Sequence, residues 1–247
     1  MTASFLPPLS DARRVLDDVR ARGYAVLPAA EVLALAQVGA DGLRALERSW
    51  DELPTDDYLR DGGRYRSRRH SCFVVHGDQV HQADHRAHWQ SLDYNALHGG
   101  MLRMFEPVDP QTVAAPAWTS LLRGLGQWCS ALHGMQPWYV EAHQFRIDTA
   151  DGIGRPTPEG AHRDGVDFVA VVLVGRHGIK GGETRVFQAE GPDGQRFTLF
   201  EPWSLLFLDD TRVIHESTPI QPAADDVPGH RDTLVLTFRA GAFQGDD

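Results

Sequence analysis

From Trp138 onward the chain is a succession of short apolar runs cut by turn residues, and this pattern excludes most folds. The runs are Trp138–Ile147, Asp167–Val174, Glu183–Gln188, Phe197–Phe200, Ser204–Leu208, Arg212–Ser217 and Thr233–Arg239. Between them stand Asp151-Gly152, Arg176-His177-Gly178, Gly181-Gly182, Pro192-Asp193-Gly194 and a loop from Pro219 to His230. Several short strands at regular spacing predict a sandwich or small barrel rather than a helical or doubly wound domain. The expected architecture is α+β but mainly β: a jelly-roll, cupin-like core over 138–240, with a helical and mixed part over 1–137 packed on it in a single domain of 1–247.

The first part supports that division. Ser10 predicts a helix cap, with Asp11 in the first turn and the helix running to Arg22; Gly23 ends it. Tyr24 to Pro28 reads as a short strand ended by proline. Ala40 to Trp50 is amphipathic, Arg64 to Val75 looks extended, and Ala117 to Leu132 carries Trp118, Leu121, Leu122, Leu125 and Trp128 at helical steps. No repeat or low-complexity tract occurs.

Charge and composition then narrow the function. Thirty-four acids against 24 bases leave a net charge of −10, which opposes binding to a phosphate backbone. Only two cysteines, Cys72 and Cys129, occur, too few for a disulfide scaffold and in keeping with a reducing compartment. No apolar run approaches the roughly 18–20 residues of a membrane span, and Met1 to Pro8 lacks the basic and apolar regions of a secretory signal. The expectation is a cytoplasmic protein acting on a small molecule, with no nucleic-acid or membrane partner. Nothing in the pattern sets the oligomeric state.

Histidine is abundant, at 12 residues, so its placement matters. In Glu159-Gly160-Ala161-His162-Arg163-Asp164-Gly165, His162 and Asp164 are two apart at the mouth of a strand and share a face. Such a pair alone is more often a surface or hydrogen-bonded feature. A third ligand, however, is offered by His215 on a later strand. Two histidines and one carboxylate fill one face of an octahedral Fe(II) and leave positions open for substrate and oxygen. Arg231 opens the last strand. If Arg212–Ser217 pairs with Arg231–Arg239 across the Pro219–His230 loop, His215 and Arg231 lie near the same end of neighbouring strands, where opposed residues sit about 5 Å apart. Arg231 would then hold a carboxylate bidentately, and Thr233, on its face, would add a hydroxyl. A dicarboxylate bound to iron at one end and arginine at the other describes 2-oxoglutarate. Against this, Arg231 reads as a surface charge closing the loop.

Pro158 to Phe168, Gly181-Gly182-Glu183, Leu208 to His215 and Arg231 to Val235 together resemble the bacterial 2OG-Fe dioxygenases typified by L-isoleucine 4-hydroxylase. Asn95 to Phe105 and His143 to Arg146 fit the same pattern, and the likeness runs from about residue 20 to 240. It implies a double-stranded β-helix, Fe(II) and 2-oxoglutarate dependence with O2 as oxidant, and hydroxylation of free L-amino acids with release of succinate and CO2. The implied ligands are His162, Asp164 and His215, and the implied 2-oxoglutarate arginine is Arg231. A halogenating relative would carry a small residue at Asp164; a carboxylate there favours hydroxylation or sulfoxidation. The competing readings are a cupin-like metalloenzyme that needs no Arg231, and a non-catalytic metal or ligand sensor of stress or biofilm regulation.

The remaining motifs are weaker. His162-Arg163-Asp164 also opens a kinase catalytic loop, but Val169 stands where its asparagine belongs and no glycine-rich loop exists. His70, His76, His81, His85, His88 and His98 have no carboxylate or cysteine at ligand spacing, so they read as a solvated loop or active-site lid rather than a second metal site. The Arg64–Arg69 cluster reads as a solvated strand edge, with a substrate-carboxylate site as the alternative. Gln144 and Arg146 share a strand face; if inward, they would bind substrate or 2-oxoglutarate.

Overall fold

A computed structural model describes residues 5–225 and 227–246; Met1 to Ser4, part of the segment read above for a signal, lie outside it. Asp11, rather than Ser10, caps the first turn, accepting from Arg13 N at 2.8 Å. A 3-10 turn leads into α1 (Val15–Arg22), which Gly23 ends at φ 80°, a left-handed conformation that glycine adopts without penalty. β1 (Tyr24–Leu27) follows, then α2 (Ala29–Ala36), which starts directly at Pro28 and which the sequence reading passed over. The amphipathic 40–50 segment is α3 (Ala40–Arg44) plus a 3-10 turn ending at Trp50.

β2 (Arg66–His76) and β3 (Gln79–Gln82) form a hairpin, and α4 (Pro110–Ala114) precedes the long α5 (Pro116–His133). The remainder is strand: β4 (Trp138–Asp148), β5 (Phe168–His177), β6 (Ile179–Gly181), β7 (Thr184–Gln188), β8 (Gly194–Phe197), β9 (Leu205–Asp209), β10 (Val213–Ser217), β11 (Ile220–Pro222) and β12 (His230–Ala240). Each anticipated strand is present, β8 shifted three residues back, and β3, β6 and β11 are additional. Three-residue strands carry too little alternation to be read from sequence.

The strands form a seven-stranded sheet, β1-β9-β5-β12-β4-β2-β3, facing a three-stranded sheet, β10-β7-β8, with β11-β6 as a separate pair. The result is the double-stranded β-helix arrangement with helices on one side. The large sheet crosses residue 137, since β1, β2 and β3 join strands of the later part. The pairing assumed for Arg212–Ser217 is corrected here: β10 pairs with β7, whereas β12 lies between β4 and β5 in the opposite sheet. Successive jelly-roll strands change sheets, so His215 and Arg231 face each other across the sandwich.

Alternation along β12 and β4 sorts the two faces of the large sheet. Leu234, Leu236, Phe238, Val140 and Ala142 pack with Trp118, Leu121, Leu122 and Leu125 of α5 in the main core. Each buried Leu, Val or Phe among them contributes about 1.5–3 kcal/mol. The opposite face, from Arg231, Thr233, Val235 and Thr237 of β12 and Glu141, His143, Phe145 and Ile147 of β4, lines a cavity between the sheets. Among the described residues no helix is long and apolar enough to cross a membrane.

Candidate active site

One end of the cavity is built by a single turn and one strand. His162 and His215 form an antiparallel bridge, His162 N to His215 O at 3.0 Å and His215 N to His162 O at 2.9 Å, which sets their rings side by side at 4.7 Å. Asp164, two residues on, turns into the same space, with Oδ2 at 3.3 Å from His215 Nε2 and Oδ1 at 3.8 Å from His162 Nε2. The donor atoms of the three residues lie within 4.8 Å of one another, so they could hold one metal ion. His162 Nδ1 donates to Gly160 O at 2.9 Å, which fixes the tautomer and leaves Nε2 free to ligate. The residues present therefore fit a two-histidine, one-carboxylate metal.

Asp210 holds the turn in place. Its carboxylate accepts from the backbone N–H groups of Asp164 (3.1 Å), Gly165 (2.8 Å) and Val166 (3.2 Å). Gly165 has φ +79°, and a side chain there would run into the Tyr94 ring, so the turn needs glycine. Burial and the Asp164 charge push Asp210 up to about 6. Burial also opposes ionisation of Asp164, but the His215 hydrogen bond and the two imidazoles outweigh it and hold its pKa down to about 2. For His162 the neighbouring carboxylates Asp164 and Glu159 outweigh burial and raise the pKa.

Arg231 projects into the same cavity from β12. It is 4% exposed, and among the described residues its guanidinium makes no hydrogen bond or ion pair. Burial and the nearby Arg176 lower its pKa to about 10, which leaves it charged. Thr233 lies beside it on the cavity wall. Gln144 and Arg146 do not join them, because they occupy the other parity of β4. Gln144 Nε2 donates to Ser49 Oγ at 2.6 Å, and Arg146 is bound to Asp232 (2.7 Å) and Asp51 (3.0 Å) outside the cavity. The inward placement expected for them is thus corrected.

The far wall holds residues that the sequence reading misjudged. His76, His81 and His85 are exposed as expected, but His70, His88 and His98 are buried. His81 is on a strand, β3. His70 and His88 meet Glu141 and His143 of β4 in a buried cluster: Glu141 Oε2 lies 3.0 Å from His70 Nε2, 2.5 Å from His88 Nδ1 and 3.7 Å from His143 Nε2. The carboxylate missing from the local sequence arrives from a strand some fifty to seventy residues away. β2 likewise is no solvated edge; β4 pairs along its length, Pro54 to Asp56 bond its other side at Arg66 and Arg68, and both of these arginines are buried. Gln90 connects this wall to the turn, donating to Asp164 Oδ1 at 3.2 Å while accepting from Arg103 Nη2 at 3.1 Å. Both thiols are buried, and burial raises their pKa values, which agrees with a site that uses neither as a nucleophile.

The model of a family described as 2OG-Fe dioxygenase matches residues 47–237. Among solved structures, a bsmA homolog from Methylobium petroleophilum PM1 is 51% identical, with TM-score 0.91 and 98% of each chain covered. IDO from Bacillus thuringiensis superimposes with TM-score 0.77 at 17% identity, over 94% of this chain and all of that one (100%). The Fe(II)/(alpha)ketoglutarate-dependent dioxygenase TqaL gives TM-score 0.73 at 18% identity, over 95% and 89% of the two chains. The last two likenesses speak to fold alone. No match was found among curated proteins. With the family motif spanning both the bridged histidines and the unpartnered arginine, the chain belongs to the 2OG-Fe dioxygenase family.

Proposed function

We propose that this protein hydroxylates, or sulfoxidises, a free L-amino acid or a similar small metabolite, with His162, Asp164 and His215 holding Fe(II) and Arg231 with Thr233 holding 2-oxoglutarate. The family's reaction uses Fe(II), 2-oxoglutarate and O2. The iron, when bound, supplies the oxidation, coupling 2-oxoglutarate decarboxylation to attack on a substrate C–H or sulfur. The chain's own part is to bind, orient and exclude water.

The observation that carries this reading is a buried, charged, unpartnered Arg231 across one cavity from three convergent ligand atoms. A buried guanidinium without a partner is costly, and a bidentate carboxylate satisfies it. The hydrogen bond from His162 Nδ1 to Gly160 O leaves Nε2 free to hold the metal, and the Asp210 contacts fix the turn from which Asp164 would join it. Asp164 is a carboxylate where a small residue would leave room for halide, which favours oxygen insertion.

Anaerobic addition of Fe(II) and 2-oxoglutarate should give a visible charge-transfer band, and aerobic turnover with the right amino acid should release succinate. Arg231→Met should need at least about 30-fold more 2-oxoglutarate to form the band, the size expected for loss of a buried charge partner, while Arg146→Met should form it as wild type does. If Arg231→Met titrates normally, the co-substrate assignment is wrong.

A further inference from the structure

The far wall carries three guanidinium groups in near-complete burial: Arg66 at 6%, Arg68 at 3% and Arg103 at 2% exposure. All three line the cavity. The only carboxylate within ion-pair distance of any of them, among the described residues, is Asp56, 2.7 Å from Arg66 Nε and 3.8 Å from Arg68 Nη1. Glu141 is engaged by imidazoles and Glu159 by His162, and neither pairs with an arginine. Among the described residues, Arg66 Nη2, Arg68 Nε and Arg103 Nε have no hydrogen-bond partner. Burial, with like charge added, lowers the pKa of Arg103 to about 10 and pushes that of Arg68 well down. Arg68 is clamped between Phe105 and Phe145, 3.7 and 4.5 Å from the ring centroids, so it cannot swing out to water. Glu141 and Glu159 act on these arginines only through space, so three fixed guanidiniums with a single directly paired carboxylate keep N–H donors for an anion.

A second metal is the rival occupant, because His70, His88, Glu141 and His143 bring four donor atoms within 4.8 Å. Two facts oppose it. Arg68 Nη2 lies 2.7 Å from His143 Nδ1. A guanidinium only donates, so Nδ1 must accept and the proton sits on Nε2, the atom that faces Glu141 and that a metal would need. The nearby arginines also make the position repel a divalent cation. The imidazoles are better read as N–H donors to Glu141, holding the wall rigid.

Resting on the reading above, we infer that Arg66, Arg68 and Arg103 form the subsite for the carboxylate of the substrate undergoing oxidation, distinct from the 2-oxoglutarate arginine. The spacing suits a small molecule. Arg103 and Asp164 are linked through the single side chain of Gln90, so a substrate anchored by its carboxylate on Arg103 reaches the metal with its own side chain. Amides or amines of the same skeleton, which lack the carboxylate, would leave the arginines unpaired and be rejected.

The test titrates the anaerobic Fe(II)–2-oxoglutarate protein, following the visible band, with the common L-amino acids, their primary amides and the matching 2-hydroxy acids. Acids should perturb the band, and the amide of any acid that does so should bind at least about 30-fold more weakly, as for an unpaired buried charge. Arg103→Met should weaken acid binding by a similar factor without changing the 2-oxoglutarate requirement; the band itself reports that the variant is folded. Amides binding as well as acids would overturn the inference. So would a Arg103→Met defect confined to 2-oxoglutarate, or two metal ions per chain with the second lost in Glu141→Gln. Binding of 2-hydroxy acids but not amino acids would retain the subsite and remove the amino-acid substrate. No perturbation by either class would remove the subsite and leave the co-substrate reading intact.

Discussion

The two ends of the cavity are built on different plans. The metal end centres on one short local turn: His162 and Asp164 share it, Asp210 ties it down through three backbone N–H groups, and His215 joins from a later strand by a two-hydrogen-bond bridge. The far wall is assembled from a distance, with Arg66, Arg68 and His70 from β2, His88, Gln90 and Arg103 from the following segment, and Glu141 and His143 from β4. A local site depends on single ligands and on the turn that aims them. A distributed site depends on the sheet, and its charges are held by burial. The two ends should therefore fail differently when perturbed.

The largest effects belong to the metal end. Asp164→Ala or His215→Ala removes a donor atom outright and should abolish tight Fe(II) binding, measured by metal content after gel filtration. Asp210→Asn keeps all three donors but sets an amide N–H2 group among backbone N–H donors. It should cost roughly 10–100-fold in metal affinity, the range for groups that orient ligands. If Asp210→Asn binds iron as wild type does, the turn is rigid without its tie and the contrast between the ends weakens.

The difference in plan also explains what the sequence disclosed. His162, Asp164 and His215 were legible because two lie on one short motif and the third stands on an obvious strand; Arg231 was legible because it opens the last strand. Their joint cavity was found although the strand pairing assumed for it was wrong, since both pairings bring β10 and β12 to the same space. Glu141 was not legible. It follows Trp138, Tyr139 and Val140 in an apolar run and gives no sign that it will meet His70 and His88. Arg66 and Arg68 misled for a physical reason: alternating charged residues ordinarily mark a solvated strand face, and only a cavity that needs charge reverses that. The parity of β4 decided Gln144 and Arg146, and parity cannot be read without knowing which face is the cavity.

An acid titration separates the ends at an intermediate scale. Burial holds the His88 pKa down to about 4, the pull of Glu141 notwithstanding, against 6.5 for an unburied histidine. The unfolded chain thus binds more protons than the folded one between those values, and stability falls as pH drops from 6.5 toward 4. Burial lowers His70 and His143 in the same direction. In metal-free protein, His88→Gln should flatten the fall in thermal midpoint over this window by up to one proton's worth. An unchanged slope would mean that the far wall is not held by neutral imidazoles.

The smallest effect tests whether burial, rather than residue type, is what makes a histidine part of the wall. His76, His81 and His85 come from the same stretch as His70 and His88, yet all three are exposed. Replacing the three together with asparagine should leave iron content and the 2-oxoglutarate band unchanged, and should move stability by no more than about 0.5 kcal/mol per site, as for ordinary surface positions. Loss of iron in that variant would mean that the exposed histidines feed metal to the site, and that the boundary between the wall and its solvated flank is drawn in the wrong place.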